Sequence, residues 1–184
     1  MGIPGVLTGV KDSGARTVRL LVPDDAAAFQ ALRLRGLLEC PEAFTSSHAE
    51  EVDTPLQIVS QRLAALPDSA IFGYLADGEL QGVVGIIRER RRKLRHKASI
   101  WGMYVAPENR LQGIGRQLME RALLYARDLG VRTVNLGVNT RNMPAIALYE
   151  AMGFKTYGTE RGFLMVDGVL HDEHLMSFDV ASPG

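Results

Sequence analysis

At 184 residues with 46% hydrophobic content, the chain has material for one substantial core, and a second domain would be cramped. Lys and Arg (21) balance Asp and Glu (21), which argues against wholesale binding to nucleic acid or to a membrane surface. The lone cysteine, Cys40, excludes an intramolecular disulfide and fits a reducing compartment; no evident base lies near it in sequence, so it reads as a packed or partly exposed helix residue rather than a nucleophile.

Residues 1–16, MGIPGVLTGVKDSGAR, are glycine-rich and carry their lysine after the apolar stretch, the wrong order for a secretory signal. Val6 stands where a myristoylation pattern needs Ser or Thr. No apolar run approaches the ~20 residues of a membrane span, so a soluble, cytoplasmic protein with a flexible N-terminal extension is expected. The folded domain is expected over 17–180, with 181–184 as a short tail.

TVRLLV from Thr17 makes a strand, and Pro23-Asp24-Asp25 opens a helix with proline early and acids in the first turn. Phe29, Leu32, Leu37 and Leu38 supply its buried stripe. Residues 40–53 have no period and read as a loop. Thr54-Pro55-Leu56-Gln57 is a capping box that starts a second helix, running to Leu66 before Pro67 stops it. AIFGYLAD, the Asp77-Gly78 turn and ELQGVVGIIRER form a hairpin. Its far end is basic, with Arg88, Arg90, Arg91, Arg92, Lys93, Arg95 and Lys97. That run is either a patch for an anionic partner or a solvated hairpin tip, and the absence of interleaved aromatics favours the tip.

Residues 98–105, ASIWGMYV, read as a buried central strand, with Ser99, Trp101, Met103 and Val105 on one side and Ile100, Gly102 and Tyr104 on the other. After a bend at Pro107, Arg110 to Arg116 place Gly113 and Gly115 where the backbone turns tightly into a helix. Unobstructed N–H groups at a helix start, flanked by arginines, make an anion site suited to a phosphate or pyrophosphate. The helix runs from Gly113 to Leu129, burying Ile114, Leu118, Ala122, Tyr125 and Leu129. A strand over 132–138 follows, then a polar turn, a short helix from Pro144 to Gly153, and a closing hairpin about Asp167-Gly168. No repeats or low-complexity tracts appear.

Arg110, Gly113 and Gly115 match a signature of Gln or Arg, two residues, Gly, one residue, then Gly or Ala. Together with NMPAIALYEAMGF at 142–154, they make the chain resemble the GNAT (Gcn5-related) N-acetyltransferases over nearly all of 17–180. The resemblance implies an α/β (α+β) fold: a mixed, mostly antiparallel seven-stranded sheet with about four helices, whose fourth and fifth strands splay apart to admit acetyl-CoA.

By the same resemblance, backbone groups of Met103, Tyr104 and Val105 hold the cofactor arm, and an N–H near Val105 polarises the thioester carbonyl. Arg110, Leu111, Gln112, Gly113, Ile114, Gly115 and Arg116 hold the pyrophosphate. Asn142, Ala145 and Tyr149 complete the cofactor site, with Asn142 contacting the pantetheine or fixing its loop. Tyr149 protonates the departing thiolate, which a phenol of pKa ~10 can do while remaining protonated at neutral pH. Without the motif, Tyr149 would read as a core aromatic of a short helix.

In such proteins the loop after the first helix helps wall the acceptor site, which marks Phe44, Ser46, Ser47, His48 and Glu50 as acceptor contacts; an ordinary surface loop is the other reading. The implied activity is transfer of an acetyl group from acetyl-CoA to a primary amine of a small molecule, by direct attack in a ternary complex. Neither a metal, nucleic acid nor membrane partner is expected; the closing hairpin commonly pairs subunits in this family, which allows a homodimer and leaves the oligomeric state open.

The base is open. Ser99 stands where some protein-lysine acetyltransferases carry a glutamate, which leaves Glu173, His174, His96 or a water chain. His171 and His174 fall on opposite faces of a regular strand, against a shared metal. A protein N-terminal or lysine acetyltransferase would require an open groove between the first-helix loop and the closing hairpin. A non-catalytic acyl-CoA-binding module is disfavoured by an intact Tyr149 and phosphate loop. Dinucleotide and P-loop readings fail, because 110–116 lacks the third spaced glycine of one and the Gly-Lys-Ser/Thr of the other.

Overall fold

A computed structural model describes residues 16–64 and 67–180. Expectations for 1–15, for the helix end at 65–66 and for 181–184 lie outside these residues. The elements are β1 (Thr17–Leu20), α1 (Ala26–Glu39), α2 (His48–Glu51), α3 (Leu56–Leu63), β2 (Ser69–Ala76), β3 (Glu79–Arg88), β4 (Lys97–Val105), α4 (Ile114–Asp128), β5 (Thr133–Asn139), α5 (Met143–Ala151), β6 (Lys155–Val166) and β7 (Val169–Asp179). The strands form a seven-stranded sheet in the order β1-β2-β3-β4-β5-β7-β6. Its neighbours are antiparallel except β4 and β5, which are parallel. Among the described residues no helix is long and apolar enough to cross a membrane.

Both faces of the central strands are covered, which is why β2 reads as a continuous apolar run. Ala70, Phe72, Tyr74 and Ala76 face a core completed by Leu118, Met119 and Ala122 of α4 and by Ile146 and Tyr149 of α5. Ile71 and Val83 face a second core with Phe29, Leu32 and Leu37 of α1 and Val59 and Leu63 of α3. Arg33 of α1 anchors α2 through a paired ion contact to Glu51 (2.8 and 3.0 Å), its guanidinium lying 5.0 Å from the Phe44 ring centre and 5.9 Å from that of Trp101.

Several expectations change. Leu38 is 65% exposed, because a helix carries it about 100° round from the buried Leu37. Residues 40–53 are not a plain loop: they hold a 3₁₀ turn at Pro41–Ala43 and the short helix α2. The capping box is there too. Ser47 Oγ accepts from the Glu50 N–H at 3.3 Å, and the Glu50 carboxylate accepts from the Ser47 N–H at 2.7 Å. The box expected at Thr54 does not form; Pro55 holds the cap position without a side-chain bond, and the Thr54 carbonyl accepts from Gln30 Nε2 at 2.7 Å.

The largest correction falls on β4. Strict alternation fails at Gly102, whose φ of 60° belongs to the left-handed region. Across β3, Gly85 pairs with Trp101 and Val83 with Tyr104, so β4 carries one extra residue there, a β-bulge. Residues before and after it therefore exchange faces. Ile100, Met103 and Val105 pack with the α4 core, whereas Trp101 and Tyr104 pack with the α1 core.

Candidate active site

The strands β4 and β5 are paired only at Lys97–Thr133, Ala98–Val134 and Ser99–Asn135. Beyond these three they part, β4 staying with β3 and β5 with β7. The gap widens into a cleft of about 1050 Å³, lined by the ends of β4, β5 and β7, the start of α4, and α5. An unpaired stretch of strand edge inside a molecule needs partners for its N–H and C=O groups, and an extended amide-bearing ligand supplies them.

At one end of the cleft is the head of α4. Gly113 holds the cap position at φ 77°, and no side chain caps the helix. The first intrahelical bond runs from the Gln117 N–H to the Gly113 carbonyl (3.1 Å), so the N–H groups of Ile114, Gly115 and Arg116 have no acceptor within the helix. Nothing lies within 4 Å of where a Cβ on Gly113 would project. A Cβ on Gly115 would press on Met103 Cε and Leu148 Cδ2, both at 3.1 Å. One glycine thus serves the turn and the other lets β4 and α5 come close. Open donors at the positive end of a 15-residue helix fit a diphosphate.

The two arginines are used differently. Arg116, on the first turn, has only Glu120 as an ion partner among the described residues, at 4.0 Å. Arg110 is turned back on β4: its Nε donates to the Val105 carbonyl at 2.9 Å, and its guanidinium lies 5.7 Å from the Tyr104 ring centre. It braces the loop through the Val105 carbonyl and, with Arg116, also lines the cleft. Met103, Tyr104, Val105, Leu111, Gly113, Ile114, Gly115, Asn142, Ala145 and Tyr149 all line the cleft; Gln112 does not, its amide lying 3.5 Å from the Glu108 carbonyl.

Asn142 caps α5, its Oδ1 accepting from the Ala145 N–H at 3.3 Å. That helix presents Tyr149, 5% exposed and packed against Phe154 with ring centres 5.9 Å apart. Burial pushes the Tyr149 phenol up to about 12, so it holds its proton at neutral pH.

The opposite end of the cleft is acidic. Glu173, on β7 opposite Asn139, lines it, and burial, reinforced by the nearby Glu160 carboxylate, pushes its carboxyl up to about 6. His174 faces away and meets Thr159 Oγ1 at 2.8 Å, while the backbone of His96 lies at the far end of β4, its carbonyl accepting from Arg132 and Thr133. Of the three side-chain bases expected, only Glu173 lines the cleft. His171 does too, held by Asn139. Oδ1 of that buried amide accepts from the Arg141 N–H at 2.9 Å, which turns its Nδ2 to donate to the Glu42 carbonyl and to His171 Nδ1, both at 3.2 Å. Of the expected acceptor contacts only Phe44 lines the cleft; Ser47 and Glu50 are turned into their capping box, and Ser46 and His48 lie outside.

The sequence profile of the acetyltransferase (GNAT) family matches residues 36–154. An aminoglycoside N(6')-acetyltransferase type 1 of Stenotrophomonas maltophilia is 31% identical over 159 residues, 81% of this chain and 91% of its own. The chain belongs to the GNAT acetyltransferase family. Accordingly, the GNAT fold recurs in an acetyltransferase of Streptococcus pneumoniae with a TM-score of 0.82 and 26% identity, covering 90% of this chain and all of the other. It recurs again in yncA of Salmonella typhimurium, solved with its cofactor acetyl-CoA, with a TM-score of 0.79 and 19% identity over 92% of this chain and 96% of the other. The GNAT protein is therefore an acetyl-CoA-dependent N-acetyltransferase.

In this GNAT acetyltransferase the sequence reading missed Asn139, whose signal was a polar residue ending a buried strand, and Gly137. A Cβ on Gly137 would collide with the Glu173 carboxylate, the movable end of a flexible side chain. Gly137→Ala should therefore keep the fold, displace that carboxylate and lower turnover about 10²-fold, while acetyl-CoA affinity stays within about twofold. Steady-state rates beside calorimetric titration with acetyl-CoA check this.

Proposed function

We propose that this GNAT acetyltransferase transfers the acetyl group to a primary amine of a small molecule, by direct attack in a ternary complex. The observation that carries the reading is the opening between β4 and β5 after three paired residues, with a retained phenol at Tyr149 and a raised carboxyl at Glu173 lining the same cleft. Acetyl-CoA supplies the activated acyl group. The amides of 114–116 hold its diphosphate and the free edge of β4 takes its amide-bearing arm.

Glu173 accepts the proton that an alkylammonium of pKa ~10 must lose. The amine lone pair then attacks the thioester carbon. One backbone N–H aimed at the developing oxyanion contributes about 3 kcal/mol. As the C–S bond breaks, the sulfur takes the Tyr149 proton, and the second proton shed by the attacking nitrogen restores the phenol, leaving a neutral amide and the free thiol.

Two further observations support a small acceptor. The wall turn at Pro41–Ala43 and the closing hairpin are tied together through Asn139, which binds the Glu42 carbonyl and His171, so the acceptor end of the cleft is bounded on that side. The aminoglycoside acetyltransferase also matches this chain over most of both lengths. Acetyl-CoA-dependent thiol release across aminoglycosides, other small amines and N-terminal peptides tests the reading. Turnover confined to small amines is expected; turnover confined to peptides would overturn it.

A further inference from the structure

We propose that Arg35 of α1, which does not line the cleft, is a positioning residue for acetyl-CoA: it sets and neutralises the turn that feeds the phosphate loop. The 3₁₀ turn Pro107–Asn109 leads directly into residues 110–116. Its Glu108 is a carboxylate beside a loop that must accept a diphosphate, a like-charge placement that disfavours binding unless it is compensated. Arg35 grips both Glu108 oxygens, through Nη1 at 2.7 Å and Nη2 at 2.8 Å, and also donates from Nε to Glu39 at 3.0 Å. The other Glu39 oxygen accepts a short hydrogen bond from the buried Tyr104 hydroxyl, and Arg110 Nη2 stands 3.8 Å away.

Charges thus alternate from the turn inward, Glu108, Arg35, Glu39 and Arg110, and join α1, β4 and the loop entrance. The hydrogen bond to Arg35 holds the Glu108 carboxyl down at about 2, so the pair persists through the physiological range. A single exposed ion pair contributes little, but a two-pronged guanidinium shared between two carboxylates has geometry that isolated pairs lack. The loop needs such support. Leu111 has φ 63° and Gly113 φ 77°, and a non-glycine residue held in the left-handed region persists only where its surroundings fix it.

The test is the affinity for two probes, acetyl-CoA and S-acetylpantetheine, which has the thioester arm but no diphosphate. Arg35→Ala should weaken acetyl-CoA about fivefold to tenfold, near the upper end for one surface network. It should leave S-acetylpantetheine, followed by NMR titration, unchanged. Arg35→Lys, which keeps the charge and loses the fork, should fall between. Arg35→Ala/Glu108→Ala should recover part of the loss, because the uncompensated carboxylate is gone. Unchanged acetyl-CoA affinity in Arg35→Ala, equal weakening of both probes, or a double variant no better than the single would each overturn the proposal.

Discussion

Replacing Glu173 by glutamine should lower kcat/KM at neutral pH by about 10²-fold to 10³-fold, within the range for loss of a positioned general base. The cause is local. Glu173 is the one side chain of the expected base set in the cleft, and burial beside Glu160 raises its carboxyl to about 6. The working form of a base is the deprotonated one. Activity of the unaltered enzyme should therefore be full above about pH 6 and fall as pH drops through that value, following a single ionisation. In Glu173→Gln that acidic limb should disappear along with the rate. A profile of kcat/KM against pH for both proteins checks this, and a limb that survives in the variant would assign the ionisation elsewhere.

Tyr149→Phe should lower kcat by about 10²-fold while acetyl-CoA affinity changes by less than about twofold, because a proton given to a departing thiolate acts only once the C–S bond is breaking. Burial holds the phenol protonated up to about 12 and its ring fills the core beside Phe154, so removing the hydroxyl leaves the packing in place. The loss should shrink with an acetyl thioester whose leaving thiol has a low pKa, since such a thiolate departs without help. Equal losses with both thioesters would make Tyr149 a packing residue.

The large features were legible because they follow from local rules. Strand-turn-helix at 98–116 was readable from an apolar run, a proline and two glycines, and the tight turn expected at the glycines is made by Gly113, which caps α4 in the left-handed region. The parting of β4 from β5 was expected only through the family likeness, and its onset after three pairs was not, since no local pattern says where two strands stop pairing. What escaped the sequence was tertiary. Gly102 interrupts an alternating pattern, the usual mark of a bulge, yet its consequence, the exchange of faces by Trp101, Met103, Tyr104 and Val105, depends on register with β3. The Ser47–Glu50 box was in plain view as Ser-x-x-Glu, but the rival box at Thr54 had the stronger hydrophobic run behind it. For the base, alternation told only that His171 and His174 face opposite ways, while the fold put Glu173 over Gly137.

The central claim is that the open amides at the head of α4 grip a diphosphate while the parted edge of β4 receives the arm attached to it. The most direct measurement is a titration of the ¹⁵N-labelled enzyme with coenzyme A, read by amide shifts residue by residue. Saturable shifts at Gly113 to Arg116 and along Gly102 to Val105, with the basic hairpin tip from Arg90 to Lys93 unmoved, are the predicted result. Shifts centred on that tip, with Gly113 to Arg116 silent, would contradict the account.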